Sequence, residues 1–95
     1  MIVGSTDQKF TVDVMKDISS AQSAEIKFIK PDNTNGYFSA TIVDDVNGII
    51  EYAVQNVSDI DMAGDWIFWA KISYTDGSVG YGEPFVVTAK NQGQL

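Results

Sequence analysis

Five aspartates in predicted loops are the residues of this chain whose type and spacing could do chemistry. They are Asp44 with Asp45, and Asp59, Asp61 and Asp65. Paired carboxylates can act as general acid and base, and carboxylate oxygens can bind calcium. The spacing of the last three does not match a calcium-binding loop, whereas aspartate is common in turns, where it accepts bonds from nearby backbone amides. We therefore interpret all five as solvated turn residues and predict no metal site.

Other residue types that support catalysis are missing from the chain. It has no histidine and no cysteine, which removes the usual general base, the best nucleophile and any imidazole or thiolate site for zinc. We therefore predict that the protein is not an enzyme and that it uses no cofactor. All 6 basic residues are lysines, and the net charge is −7. Nucleic acids and anionic membranes both require a cationic surface, so we expect neither as a partner.

Aromatic side chains remain as candidates for a binding site. Trp66 and Trp69 are separated by an odd number of positions, so in a strand they point to opposite faces. Phe68 shares the face of Trp66, and we assign that face to the interior. Trp69 is then predicted to be exposed, beside Tyr81 or Tyr37. An exposed tryptophan can anchor a protein interface or stack on a sugar, or it can simply pack beneath a loop.

Short strands are the elements that must position these residues. Alternating apolar residues predict about seven strands at intervals of roughly ten residues, with no helix longer than one turn. The pair Asn47-Gly48 is a strong hairpin signal, and hairpins imply antiparallel sheets. The last strand is predicted to run over residues 79–89, with Pro84 at an edge or a bulge. The sequence predicts an all-β sandwich domain over residues 1–90, a polar tail over 91–95 and no signal peptide.

The segment before the longest predicted strand reads as a structural corner. Gly64 can adopt a positive φ angle and turn the chain from one sheet to the other. Met62 is a flexible apolar residue that could plug the end of a sandwich, and Trp66 begins the strand. This arrangement resembles the corner before the sixth strand of immunoglobulin-like domains, so we expect an immunoglobulin-like antiparallel β-sandwich of about seven strands.

A more specific resemblance covers nearly the whole chain. A strand followed by the Lys30-Pro31-Asp32 turn is similar to immunoglobulin-like domains of tailed-phage structural proteins. Strands like those over residues 37–42 and 48–52 follow in that family, then the corner over 61–67 and a hairpin over 73–77. The chain most resembles the amino-terminal domain of upper baseplate proteins.

The resemblance implies a non-enzymatic virion protein, made in the host cytoplasm and built into the capsid as a decoration protein, or into the neck, tail or baseplate. Its partners would be other virion proteins, in multiple copies within a symmetric assembly. We expect Trp69, Tyr81 and Tyr37 to make the contacts. The alternative is a carbohydrate-binding or adhesin module that uses the same exposed aromatics.

Overall fold

Every regular element of the protein is a β-strand, as the computed structural model of all 95 residues shows. The strands are β1 (Lys9–Asp13), β2 (Ala21–Ile29), β3 (Asn35–Asp44), β4 (Ile49–Ala53), β5 (Gly64–Tyr74), β6 (Val79–Tyr81) and β7 (Phe85–Ala89). All paired strands are antiparallel. The prediction of an immunoglobulin-like antiparallel β-sandwich of about seven strands is confirmed. No helix in the chain has the length and apolar character to cross a membrane.

The strands form two layers that share β3. The larger sheet contains β2, β5, β6, β7 and the first part of β3, and the smaller sheet contains β1, β4 and the last part of β3. Residues Asn35 to Ala40 pair with β2, whereas Thr41 to Asp44 pair with β4. A single ten-residue strand therefore closes one side of the sandwich.

The core lies between the two layers and follows the alternation of the sequence. Alternate residues of β2 and β5 point inward and are buried, while those between them form the outer surface. Fifteen buried hydrophobic residues make one cluster. Its largest members, Trp66 and Phe68, are both 0% exposed, which confirms that their shared face is interior.

The segment over residues 79–89 is two strands rather than one. Both pair with β5, but in registers that differ by one residue: Tyr81 lies opposite Lys71, and Phe85 lies opposite Phe68. The shift falls between them, where Pro84 has no amide hydrogen to donate to a ladder. The prediction of a single strand over 79–89 is therefore wrong, and Pro84, predicted at an edge or a bulge, lies in the break between β6 and β7.

The second side of the sandwich is not closed by strand pairing. β1 and β6 stand at the two ends of the strand order, and no ladder joins them. The N-terminal residues lie against the end of β7, where Val3 N–H donates to the carbonyl of Lys90 at 2.9 Å. Beyond that contact a groove of about 420 Å³ separates β1 from the segment that follows β6. Residues 91–95 are exposed.

Candidate binding face

The outward surface of the larger sheet, here called the outer face, brings the predicted aromatic residues together. Lys27 of β2 lies opposite Tyr37 of β3 on one side and opposite Trp69 of β5 on the other. Side chains directly opposite each other in a ladder project from the same face. Tyr37, Lys27 and Trp69 therefore form one row across three adjacent strands.

Trp69 and Tyr37 differ in how far they are exposed. Tyr37 is 56% exposed, whereas Trp69 is half-buried, so the prediction that Trp69 is exposed is corrected. Trp69 lies at the centre of the sheet, where neighbouring strands on both sides shield its ring, and Tyr37 lies on the outermost strand. The indole presents part of its surface to solvent and the phenol presents most of it.

Lys27 is the cation at the centre of this row, and it makes no ion pair. The ion pairs of the chain join Lys9 with Glu51, Lys30 with Asp61 and Lys71 with Glu25. The sequence places Lys27 on the outer face by alternation, but only the ladder register places it between two aromatic rings. Sequence reasoning missed this residue, because register is a non-local property.

Tyr81 extends the outer face along a second row. It lies opposite Lys71, and Lys71 lies opposite Glu25 in the next strand. The ammonium of Lys71 is 3.9 Å from the Glu25 carboxylate, so this row is internally neutralised. Tyr81 is 62% exposed. Its phenol is thus a third aromatic group on the surface that carries Trp69.

An aliphatic row borders the aromatic one on the other side. Ile67 of β5 lies opposite Ile29 of β2 and Val86 of β7. Ile67 and Val86 are 37% and 59% exposed, and Ile29 is half-buried. The outer face therefore joins three aromatic and three aliphatic side chains around the unpaired charge of Lys27. Contiguous exposed apolar surface of this kind is typical of interaction sites.

The predicted corner holds β5 in place at the edge of this face. Gly64 has a φ of +124°, and a Cβ at this position would lie 2.7 Å from Cγ of Pro31. The indole N–H of Trp66 donates a hydrogen bond of 3.0 Å to the carbonyl of Met62. This bond satisfies the one polar group of a fully buried side chain. Met62, Gly64 and Trp66 therefore lie together at the start of β5.

The candidate catalytic aspartates do not form one cluster, and four of them have their own hydrogen-bond or ion-pair partners. Asp44 accepts hydrogen bonds from the backbone and side-chain amides of Asn47, within a turn. Asp65 accepts a bond of 2.6 Å from the Thr88 hydroxyl, and Asp61 pairs with Lys30 at 2.9 Å. No three acidic side chains come close enough to hold a metal ion.

Asp59 has the most specific contact of the group. Its carboxylate accepts the hydroxyl hydrogen of Tyr52 at 2.5 Å and the backbone amides of Gln55 and Asn56 at 3.1 and 3.3 Å. Burial opposes its ionised form, but these bonds prevail and lower the pKa of Asp59. Burial and the neighbouring carboxylate raise the pKa of Tyr52 to about 12. The pair anchors the loop after β4 and does not face a cavity.

Comparison with known proteins adds one similarity of fold. No family model matches the chain, and no curated protein matches its sequence. The crystal structure of CopC from Methylosinus trichosporium OB3b is similar, with a TM-score of 0.62 and 10% sequence identity. The match covers 99% of this chain and 86% of CopC. The fold class is therefore that of a β-sandwich also found in CopC.

The chain lacks the side chains that most often bind copper in proteins. Copper in proteins is bound mainly by imidazole, thiolate and thioether groups. The chain has no histidine and no cysteine. Its three methionines lie in three separate segments: at the N-terminus, directly after β1 and before β5. At 10% identity the likeness to CopC concerns the fold alone.

The comparison overturns the predicted virion role. CopC is a solved structure of similar fold, and nothing in the comparisons points to a phage protein. The predicted capsid, neck, tail and baseplate roles are therefore wrong, as is the location in a virion, and the glycan-binding alternative gains no support. The resemblance depended on turns and strand starts, which serve the topology and recur in sandwiches of unrelated function. The sequence resemblance to phage immunoglobulin-like domains itself stays a prediction.

Proposed function

We propose that this chain is a non-catalytic binding domain that holds a protein partner on its outer face. The observation that carries the proposal is the in-register row of Tyr37, Lys27 and Trp69, flanked by Tyr81. Tyrosine and tryptophan supply large contact areas with few rotatable bonds, and they are enriched where interfaces gain most of their binding energy. The flat surface of the sheet provides the rigid support that such a contact requires.

The charge at the centre of the row defines the chemistry of the partner. The Lys27 ammonium forms no ion pair with a carboxylate of its own chain, although the protein carries 13 acidic residues. A carboxylate of the partner that faced Lys27 would be surrounded by apolar groups on both proteins, where a charge-assisted hydrogen bond is strong. We therefore infer a protein surface that presents an aspartate or glutamate within an apolar patch.

The aliphatic row favours a protein over a sugar as the occupant. Ile29, Ile67 and Val86 offer no stacking plane and no hydrogen bond, whereas a protein can cover them with apolar side chains of its own. Trp69 is half-buried in the sheet rather than projecting from it. Such a surface fits the apolar centre and polar rim of a protein interface.

Photo-crosslinking from the outer face tests this proposal. Benzoylphenylalanine would replace Tyr37 or Tyr81 in the full chain, and Val57 in a control, because Val57 is 70% exposed in the loop after β4. We expect the two outer-face probes to crosslink to one and the same protein in extracts of the native cells, and the control not to do so. The crosslinks should disappear when Lys27→Glu is added. Equal labelling from all three positions, or capture of a glycan instead of a protein, would refute the proposal.

A further inference from the structure

The free edge of β1 presents three residues whose backbone groups bond to no other strand; the Lys9 carbonyl accepts one long bond of 3.4 Å from the Gln8 side-chain amide. On its other side β1 pairs with β4, where Val14 N–H donates to Gly48 O at 2.8 Å and Val54 N–H donates to Gln8 O at 2.9 Å. In an antiparallel ladder only alternate residues bond to a given neighbour. The even-numbered residues of this strand therefore bond to β4. The backbone groups of Lys9, Thr11 and Asp13 point away from the sheet.

Space lies beside this edge. The groove of about 420 Å³ runs along the last three residues of β1 and the segment after them, with Thr11 and Asp13 on one side and Tyr81 and Glu83 on the other. No strand of the chain covers the edge, because β1 ends the strand order. An uncovered edge of this kind is a template for pairing with another strand.

We propose that β1 pairs with β1 of a second copy, antiparallel about a twofold axis at Thr11. The sequence of the strand, Lys9-Phe10-Thr11-Val12-Asp13, is complementary to itself in this register. Thr11 would lie opposite Thr11 of the second copy, and each Lys9 opposite an Asp13. The three residues whose backbone groups point away from β4 are those that bond to each other in this register, giving about six hydrogen bonds once the Gln8 amide releases the Lys9 carbonyl.

The side chains that meet in this register are free to do so. Lys9, Thr11 and Asp13 all project from the exposed face of the strand. Lys9 is 58% exposed and lies 4.0 Å from Glu51, a loose contact that leaves it mobile. Asp13 accepts the Met15 amide through Oδ1 only, so Oδ2 is available. Opposite charges and threonine pairs across a ladder are both stabilising.

The same charges disfavour other pairings of this edge. A parallel arrangement places Lys9 opposite Lys9 and Asp13 opposite Asp13, and like charges in opposed positions are destabilising. A shift of two residues in either direction separates both Lys9 side chains from both Asp13 side chains, so neither pair forms. The edge is short, and the net charge of −7 on each copy opposes association. We therefore expect a weak, concentration-dependent dimer rather than an obligate one.

Analytical ultracentrifugation of the full chain, up to about 1 mM, tests the proposal. The wild type should shift from monomer to dimer over this range. Asp13→Lys should weaken the dimer at least about tenfold. This is expected even though the substitution changes the net charge from −7 to −5 and so reduces the general repulsion between copies. Asp45→Lys makes the same change of charge at an exposed turn and should strengthen association slightly.

Mixing two variants gives the most specific readout. K9D carries only acidic side chains on this edge and D13K only basic ones, so each should be monomeric alone and the mixture should dimerise. D13N keeps an acceptor for the Met15 amide while removing the charge, which separates loss of pairing from loss of folding. We expect D13N to be folded by circular dichroism and to dimerise more weakly than the wild type.

Three results would overturn this inference. They are a wild type that stays monomeric at every concentration, a dimer that D13K and D13N leave unchanged, and a K9D–D13K mixture that remains monomeric. The β1 edge belongs to the smaller sheet and the outer face to the larger one. Tyr81 borders both the groove and the outer face, but Lys27, Tyr37 and Trp69 lie on strands away from β1. Failure of this dimer therefore leaves the row that carries the partner site intact, and failure of that site leaves the dimer intact.

Discussion

The hydroxyl of Tyr52 donates a hydrogen bond of 2.5 Å to the carboxylate of Asp59, and this contact ties the loop after β4 to the strand itself. Tyr52 also stacks on Phe38, with ring centroids 4.5 Å apart. The ring thus belongs to the apolar packing, while its hydroxyl bonds to a loop carboxylate. Each partner shifts the ionisation of the other, which makes the contact measurable in solution.

At alkaline pH the Tyr52 contact should limit stability. The folded protein holds the pKa of Tyr52 at about 12, above its value of 10.0 in the unfolded chain. The neutral phenol is thus favoured by folding, so its contribution is complete below pH 10 and is lost as the pH rises towards 12. We expect urea unfolding to show this alkaline loss in the wild type and a smaller one in Tyr52→Phe. At neutral pH the variant should be less stable by about 1 kcal/mol. Identical alkaline profiles would contradict the assignment.

At acidic pH the lowered pKa values of several aspartates should set the stability. Hydrogen bonds from turn groups lower the pKa of Asp17, Asp32, Asp44 and Asp76, and those of the Tyr52 loop lower that of Asp59. A carboxylate whose pKa is lower in the folded protein stabilises the fold at pH values above its pKa in the unfolded chain. That contribution is lost as the pH falls through its pKa in the folded protein. The free energy of unfolding should therefore drop below about pH 4. Asp59→Asn should make that decline shallower, and a decline as steep as that of the wild type would contradict the role of Asp59.

Gly64 should tolerate alanine less well than Gly77, another glycine with a positive φ. Gly64→Ala places a methyl group in the left-handed region and 2.7 Å from Pro31. We expect a loss of about 2–4 kcal/mol, from backbone strain together with the clash. Gly77→Ala is the matched control, because its φ is +89° but nothing lies within 4 Å of the new atom. It should lose only about 1–2 kcal/mol in chemical denaturation. Equal losses would mean that the Pro31 contact has no effect.

The two tryptophans should respond differently to the same substitution. Trp66→Phe removes a fully buried indole and leaves the carbonyl of Met62 without its donor, so we expect a loss of about 2–4 kcal/mol. Trp69→Phe, on the outer face, should cost less than about 1 kcal/mol. The fluorescence that remains in Trp69→Phe should be blue-shifted relative to that in Trp66→Phe. The opposite order of stabilities or emission maxima would invert the assignment of the faces.

The strand alternation of this chain was readable from its sequence, because each face repeats every two residues. Trp66 and Phe68 fall on one buried face, and Trp69 falls on the other. Gly64 was also readable, since only a few residue types suit a sharp corner. These features depend on local geometry, which is determined by residues that are close together in the sequence.

The pairing of strands was not readable, because it depends on residues far apart in the chain. Nothing near Lys27 indicates that Tyr37 and Trp69 flank it, or that Asp59 reaches Tyr52. The one-residue shift between β6 and β7 similarly depends on both strands pairing with β5. The virion role was wrong for a related reason: turn signatures report topology, and one topology serves many functions.

The most direct test of the outer-face proposal is the affinity of the identified partner for charge-reversed variants. Isothermal titration calorimetry would compare the wild type with Lys27→Glu and with Lys90→Glu, whose exposed side chain makes no ion pair. The account predicts that Lys27→Glu weakens binding at least about tenfold and that Lys90→Glu changes it less than about twofold. Equal affinities for the wild type and Lys27→Glu would contradict it.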